Sequence, residues 1–288
     1  MEFLVTGAAG QLGTALLQIL GDRATGFGHE LDIGDPGAME AALLRAAPAW
    51  VLNAAAMTHV DRCEREPARA RRENARAPEA LAAMCARHGV RLLHVSTDYV
   101  FSGTGETPFA ENATPAPRSV YGRTKLEGEA RVQAALPDAL IVRTSWVYGR
   151  GRNFVAAILA QAAAGRPLRV VDDQLGRPTR ARDLAEGIVA LVERDAAGLY
   201  HLANGGAAAT WWDLARAALD EAGYGDTPVA RIASDALQVD APRPAYSVLD
   251  CGKAAREGVA LRPWPEALRH HLRSDDAPGG VRTPGGPA

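Results

Sequence analysis

The opening of the chain restricts its fold more than any later segment. Residues 1–6, Met1-Glu-Phe-Leu-Val-Thr6, read as a short buried strand that runs without a spacer into Gly7-Ala-Ala-Gly10-Gln-Leu-Gly13. Residues 14–20 then read as an apolar helix. Strand, glycine turn and helix in that order are the context in which glycines bring backbone close to a pyrophosphate. The anion sits at the helix amino end, where unpaired N–H groups and the helix dipole favour negative charge. The spacing, three residues from first to second glycine and three more to the last, differs from the G-x-G-x-x-G form.

The rest of the first half repeats that alternation. Residues 24–28, 50–53, 91–96 and 140–143 read as short buried strands, separated by alanine-rich helical stretches over 36–46, 67–87 and 119–134. Alternation of this kind implies an α/β fold, a Rossmann-type doubly wound parallel sheet with helices on both faces. Ligands then belong at the carboxyl ends of the strands. Asn53-Ala-Ala-Ala56-Met57-Thr58 and Ser96-Thr97-Asp98-Tyr99 both fall there. The alanine run also has a plain reading, as tight helix–strand packing.

Past residue 150 the pattern loosens. A helix is expected over 153–165, a turn-rich loop over 173–179, a helix over 182–193, a strand over 199–203 and a helix over 211–222. The expected division is 1–150 with 182–203 as the dinucleotide-binding domain, and 151–181 with 204–272 as a smaller, discontinuous substrate lobe. Residues 273–288, rich in Gly, Pro, Asp and Arg, are read as a disordered tail. The charges between 61 and 79 mix both signs and are read as a solvated helix face.

Tyr121-Gly-Arg-Thr-Lys125 places a phenol and an ammonium four residues apart, on one face of a helix. Lys125 is one of two lysines in a chain whose basic residues are otherwise arginine. A compact ammonium can hold a ribose and favour ionisation of a neighbouring phenol, which a planar guanidinium does less well. Bringing a tyrosine from about 10 to ~7 takes about 4 kcal/mol, which a cofactor's positive ring and Lys125 together could supply. Taken alone, the pair is equally readable as a surface helix carrying Tyr and Lys.

At 288 residues the chain can bury a substantial core, and a net charge of −2 gives no reason to expect nucleic-acid or membrane binding. No apolar run approaches the roughly 20 residues of a membrane span, and the start on a core strand leaves no place for a signal peptide, so a cytoplasmic protein is expected. Cys63, Cys85 and Cys251 are odd in number and lack metal-ligand spacing, so they are read as reduced thiols, and no metal site is expected.

Gly7-x-x-Gly10-x-x-Gly13, Ser96-Thr97-Asp98 and Tyr121-x-x-x-Lys125, in this order, resemble the extended short-chain dehydrogenase/reductase superfamily. One branch fits on further segments: Gly10-Gln-Leu-Gly13, Glu30-Leu-Asp32-Ile33, Ser96-Thr-Asp-Tyr-Val-Phe101, Arg143-Thr-Ser-Trp146-Val-Tyr-Gly149, Asn153-Phe154, Asp173-Gln-x-Gly-x-Pro-Thr179 and Arg243-Pro. Over residues 1–272 these are similar to the dTDP-4-dehydrorhamnose reductase family. The related 4,6-dehydratases usually carry Glu after the Thr-Asp pair, an extra acid for eliminating water. Tyr99 stands there, which favours simple carbonyl reduction.

The resemblance implies NADPH or NADH as cofactor and a dTDP-sugar as substrate, a 4-ketone being reduced. It implies Tyr121 as general acid, Lys125 as the residue holding the nicotinamide ribose and tuning the phenol, and Thr97 as a hydrogen-bond partner of the reacting oxygen. It implies cofactor contacts from Gly7, Gly10, Gln11, Leu12, Gly13, Asp32, Ile33, Ala56, Met57, Thr58 and Val95, and sugar-nucleotide contacts from Asp98 and Trp146. Trp146 is equally compatible with an ordinary half-buried aromatic. Arg177 and Arg243 suit the substrate diphosphate, since a guanidinium pairs bidentately with phosphate oxygens, or else make surface ion pairs.

Three departures bear on these implications. Tyr246 precedes Ser247 where many relatives have Asn. Ala15 stands where some relatives place a glutamate that dimerises them through magnesium, so a homodimer, if formed, is expected without that bridge. His29 and Glu30 after the second strand are neither a clear ribose-binding acid nor a 2′-phosphate arginine. Two other readings stay open, another nucleotide-sugar reductase or 4-epimerase, and a cofactor-binding regulatory subunit resembling that of methionine adenosyltransferase.

Overall fold

The computed structural model describes residues 2–28 and 30–279. Its centre is a six-stranded sheet of β1 (Phe3–Thr6), β2 (Ala24–Phe27), β3 (Trp50–Asn53), β4 (Arg91–Thr97), β5 (Leu140–Thr144) and an edge strand, Gly198–His201. The order across the sheet is Gly198–His201, β5, β4, β3, β1, β2, and every pair is parallel. β1, β3 and β5 are buried along their whole length, as continuous apolar runs covered on both faces must be.

One face is covered by helices Gln11–Leu20 and Ala181–Val192, whose Leu12, Leu16, Leu184, Ile188 and Leu191 join Phe3, Val5 and Leu52 in one cluster. The other carries Pro36–Ala46, Ala77–His88 and Val120–Ala135, with Met39, Leu43, Leu81, Met84 and Val132 packed on Leu4, Val51 and Ile141. Local sequence sets the helix starts. Asp35 accepts from the Gly37 and Ala38 amides (3.0 and 3.1 Å), and Ser119 accepts from Gly122 (3.1 Å).

The stretch expected as one helix over 67–87 is interrupted. Pro67–Arg71 and Ala77–His88 are α-helical, but Arg72–Arg76 between them winds as a π-turn. Pro78 has no N–H to give the Asn74 carbonyl four residues back, so the α ladder cannot continue through that position. Gly128 of the facing helix fills the gap: a Cβ there would stand 2.2 Å from the Asn74 oxygen.

Beyond β5 a second cluster forms from Tyr148, Val155, Ile158, Leu159, Leu214, Leu219, Trp264 and Leu268. Its helices are Phe154–Ala163, Trp211–Glu221 and Trp264–Leu272. Thr210 and Asp213 close a reciprocal capping box at the second of these. Short parallel pairing joins Leu168–Val171 to Val229–Ile232, and Val147–Tyr148 to Thr179–Arg180.

After the last helix the Ser274 hydroxyl donates to the His271 carbonyl (2.8 Å), and the Gln18 amide donates to Asp276 (3.3 Å). The expected disordered tail overlaps this segment as far as residue 279, and its remainder, 280–288, lies outside the described residues. No helix among the described residues is long and apolar enough to cross a membrane.

Candidate functional site

The sheet order reverses between β1 and β3, because the chain leaves β1 for β2 on one side and reaches β3 on the other. Loops leaving such a switch point diverge and open a crevice at the carboxyl ends of the strands. Gly7, at φ +68°, makes the turn after β1, and a Cβ on it would meet the Ala54 and Ala55 backbone after β3 at 2.7 Å. Gly13 seats the helix on the turn, since a Cβ there would stand 2.2 Å from the Gly7 oxygen. The helix begins at Gly10 with no side-chain cap, so its first N–H groups face the crevice mouth without a local acceptor.

The other residues expected to contact a dinucleotide follow β2 and β3 or, for Val95, lie in β4. Leu12 and Ile33 are buried, and Asp32 is exposed, with one oxygen on the Gly34 amide (2.8 Å) and the other 3.5 Å from Arg72. Ala56 and Val95 are half-buried, Met57 is buried and Thr58 is exposed. The Gln11 Oε1 is buried without a hydrogen-bond partner, as are Ser96 Oγ and one oxygen of Asp98. An uncapped helix start, a glycine turn and an orphaned amide oxygen together suit a diphosphate and its ribose.

Asn74, which the sequence reading passed over, holds the Met57 loop. Its side chain accepts from the Met57 amide (2.8 Å) and donates to the Met57 carbonyl (3.1 Å) and to Thr124 (3.2 Å). The π-turn thus locks the loop after β3 to the helix that carries Tyr121. Only Pro78, four residues on, marked the position in the sequence.

Tyr121 lies in the first turn of helix Val120–Ala135 and is 9% exposed, packed with Met57, Cys63 and Ala70. Tyr99 meets it edge-on at 5.4 Å between ring centroids. Burial holds the phenol well above its ordinary range, while the Thr97 side chain works in the opposite direction. Thr97 donates to Asp98 (3.0 Å) and caps the turn after β4. Asp98 is fully buried, which pushes its carboxyl up to about 6 against hydrogen bonds that favour its charge. Tyr121, Thr97 and Asp98 therefore form one buried group at the carboxyl end of β4, with the phenol protonated.

Lys125 follows Tyr121 by one turn of the same helix. Its nitrogen donates to the Val95 carbonyl (2.7 Å) and lies 3.3 Å from His94 Nε2. Burial lowers the lysine to about 8, opposed by Glu129 one turn along the helix. Glu129 itself is clamped by the Arg143 guanidinium at 2.8 and 2.6 Å, both side chains buried.

Trp146 sits in the left-handed backbone region at φ +46°, its ring stacked on Trp211 at 3.7 Å and 5°. Gly176 lies against the same ring, where a Cβ would come within 2.4 Å. Trp211 is a second residue the sequence reading missed; its one signal was the Trp211-Trp212 pair in a chain with five tryptophans. Arg177 donates to the Leu249 carbonyl (3.1 Å) from a half-buried position. Arg243 is paired with Asp61 at 2.7 Å. Asp61, read from sequence as part of a solvated face, instead accepts from the Asp240 and Ala241 amides as well, so it anchors the 240–243 segment. Among the described residues no cluster of His, Cys, Asp and Glu has the arrangement of a metal site.

The family model described as RmlD substrate binding domain matches residues 1–276. A probable dTDP-4,6-dihydroxy-2-methyloxan-3-one 4-ketoreductase of Streptomyces antibioticus is 44% identical, over 93% of this chain and 94% of its own. The dTDP-4-dehydrorhamnose reductase of Streptomyces griseus is also 44% identical, over 93% and 91%. Among solved structures, a dTDP-4-dehydrorhamnose reductase from Bacillus anthracis in complex with NADP superposes with a TM-score of 0.90 at 31% identity, covering 94% of this chain and 99% of that one.

Proposed function

Since this chain belongs to the dTDP-4-dehydrorhamnose reductase family, we propose that it reduces the C4 ketone of dTDP-4-dehydro-beta-L-rhamnose to dTDP-L-rhamnose. The single observation that carries this reading is the grouping of Tyr121 and Thr97 at the carboxyl end of β4, at the same end of the sheet as the glycine turn of β1 and separated from it by β3. NADPH or NADH supplies the hydride to C4. The site residues supply binding, orientation and the proton.

Gly7, Gly10 and Gly13 shape the turn on which the diphosphate rests, with Gln11 and Leu12 at the helix start. Asp32, Ile33, Ala56, Met57, Thr58 and Val95 border the dinucleotide. Tyr121, held protonated by burial, delivers the phenolic proton to the C4 oxygen. Thr97, whose one proton goes to Asp98 in the ligand-free protein, turns that proton to the same oxygen as negative charge develops on it. Trp146 presents an aromatic face to the sugar, and its stack on Trp211 limits how far it can move. Arg177 and Arg243 bind the substrate diphosphate, Asp61 keeping Arg243 in place until phosphate oxygens compete for it. The cytoplasm is the proposed location, in keeping with the lack, among the described residues, of a helix able to cross a membrane. A homodimer, if present, is assembled without a magnesium-bridging glutamate at position 15.

Mixing the purified protein with NADPH and dTDP-4-dehydro-L-rhamnose should deplete the reduced-nicotinamide absorbance in step with formation of dTDP-L-rhamnose. Absence of turnover with both NADPH and NADH would overturn the assignment. So would redox-neutral conversion by a protein purified with its cofactor retained, which is the behaviour of an epimerase.

A further inference from the structure

A buried polar chain of Thr6, Asn53, His94 and Lys125 lies behind the reacting groups, and the reaction as described uses none of the first three. It runs across three neighbouring strands into the Tyr121 helix, and all four residues are at most 2% exposed. Its donors and acceptors can be assigned link by link. Asn53 Oδ1 accepts from the Ala55 amide (3.2 Å) and from the Thr6 hydroxyl (2.7 Å). A backbone N–H can only donate, so this contact fixes which end of the Asn53 amide is oxygen. The NH₂ end then faces His94 Nδ1 at 3.0 Å. An amide nitrogen can only donate as well, so Nδ1 must accept. That excludes the imidazolium and the Nδ1–H tautomer, and His94 carries its proton on Nε2.

The Nε2–H points at Lys125 Nζ, 3.3 Å away. An ammonium has no lone pair to receive it, whereas a neutral amine accepts it and still donates to the Val95 carbonyl. We propose that Asn53 and His94 form a tautomer lock that presents an N–H to Lys125 and so favours loss of the lysine's proton in the free protein. His94 is on this account a positioning residue acting through Lys125.

The surrounding charges do not undo this preference. Glu129, on the same helix, favours the ammonium but is held in the bidentate pair with Arg143 of β5. The elements packed on this helix also bring Glu64, Glu73 and Glu79. Glu64 accepts the Val120 amide, Glu73 pairs with Arg69 and Arg72, and Glu79 pairs with Arg131. Tyr121, Tyr99, Asp98 and Cys63 also lie nearby, Asp61 is paired with Arg243, and Glu127 with Arg71 and Arg131. Burial acts in the same direction as the lock, lowering both the lysine and the histidine. The inference concerns the ligand-free protein and stands independently of which sugar is reduced.

With two lysines in the chain, Lys125 and Lys253, ¹³Cε-lysine labelling gives a two-signal spectrum that Lys253→Arg assigns. In ligand-free protein the Lys125 signal should titrate with a midpoint at about 8, and imidazole ¹⁵N signals should show His94 as the Nε2–H tautomer. His94→Gln, whose amide can turn its oxygen to the ammonium, should raise the midpoint by about one unit, a tenfold change in proton affinity. Asn53→Asp, whose carboxylate only accepts, should switch His94 to the Nδ1–H tautomer. An ammonium signal for Lys125 up to pH 10 in the wild-type protein, or an Nδ1–H tautomer of its His94, overturns the proposal whether or not the variants fold.

Discussion

Replacing Glu129 by Gln tests the packing beneath the site. Arg143 and Glu129 are 3% and 7% exposed in their side chains, and two short bonds join them. The guanidinium rests over the Phe101 ring at 5.0 Å, and its Nη1 has no partner. Glu129→Gln preserves shape but turns one acceptor into a donor facing a donor, and leaves a buried cation with no counter-charge. Removing one partner of such a pair costs about 3–5 kcal/mol. For a chain of this size about 1 kcal/mol corresponds to roughly 2–4 °C, so the melting temperature should fall by roughly 10 °C. The double variant Glu129→Leu with Arg143→Met removes both charges and should recover most of that loss. Urea titration and calorimetry on the three proteins give the comparison. A loss below about 1 kcal/mol for Glu129→Gln, or a double variant worse than the single, would refute the argument that this pair is desolvated.

Three further outcomes follow from the geometry. Gly13→Ala puts a methyl 2.2 Å from the Gly7 oxygen, so the helix start must move; NADPH affinity measured by fluorescence titration should fall at least about tenfold, and an unchanged Kd would contradict the cradle. Arg243→Ala should raise KM for the dTDP-sugar about tenfold or more while kcat changes little, the size of a lost charge-assisted hydrogen bond, and an unchanged KM would remove Arg243 from the site. Asp98 titrates at about 6 in the fold against 3.8 ordinarily, so its ionisation opposes folding above that range, by about 3 kcal/mol, and the penalty is relieved as pH falls through 6. Asp98→Asn should therefore be the more stable protein at pH 7, with the gap narrowing toward pH 5; a gap that widens on acidification would invert the sign.

Much of this architecture was readable because its signals are local. The glycine turn and the continuous apolar runs of β1, β3 and β5 act within a few residues of themselves. The Tyr121 and Lys125 spacing was equally visible, and so was the helix that carries it. What the sequence could not reveal depends on partners far along the chain. His94 lies 41 residues from Asn53 and 31 from Lys125, and nothing in Leu93-His94-Val95 distinguishes a buried link from an ordinary strand histidine. Asn74 gains its role only when β3 brings Met57 beside it, and Asp61 only when residues 240–243 fold back onto it. The surroundings of Lys125 were hidden for the same reason: helical spacing sets which face a side chain occupies, but the Val95 carbonyl and His94 decide where its nitrogen points in the ligand-free protein.

The central claim is that Tyr121 donates the proton that accompanies hydride transfer. Single-turnover oxidation of NADPH by Tyr121→Phe in the presence of dTDP-4-dehydro-L-rhamnose tests it most directly, with cofactor affinity measured on the same protein. The account predicts cofactor binding close to that of the wild type and a rate lower by about 10²–10⁴, the range for a lost general acid. A rate within a few-fold of the wild type would mean that the proton reaches the C4 oxygen from another group.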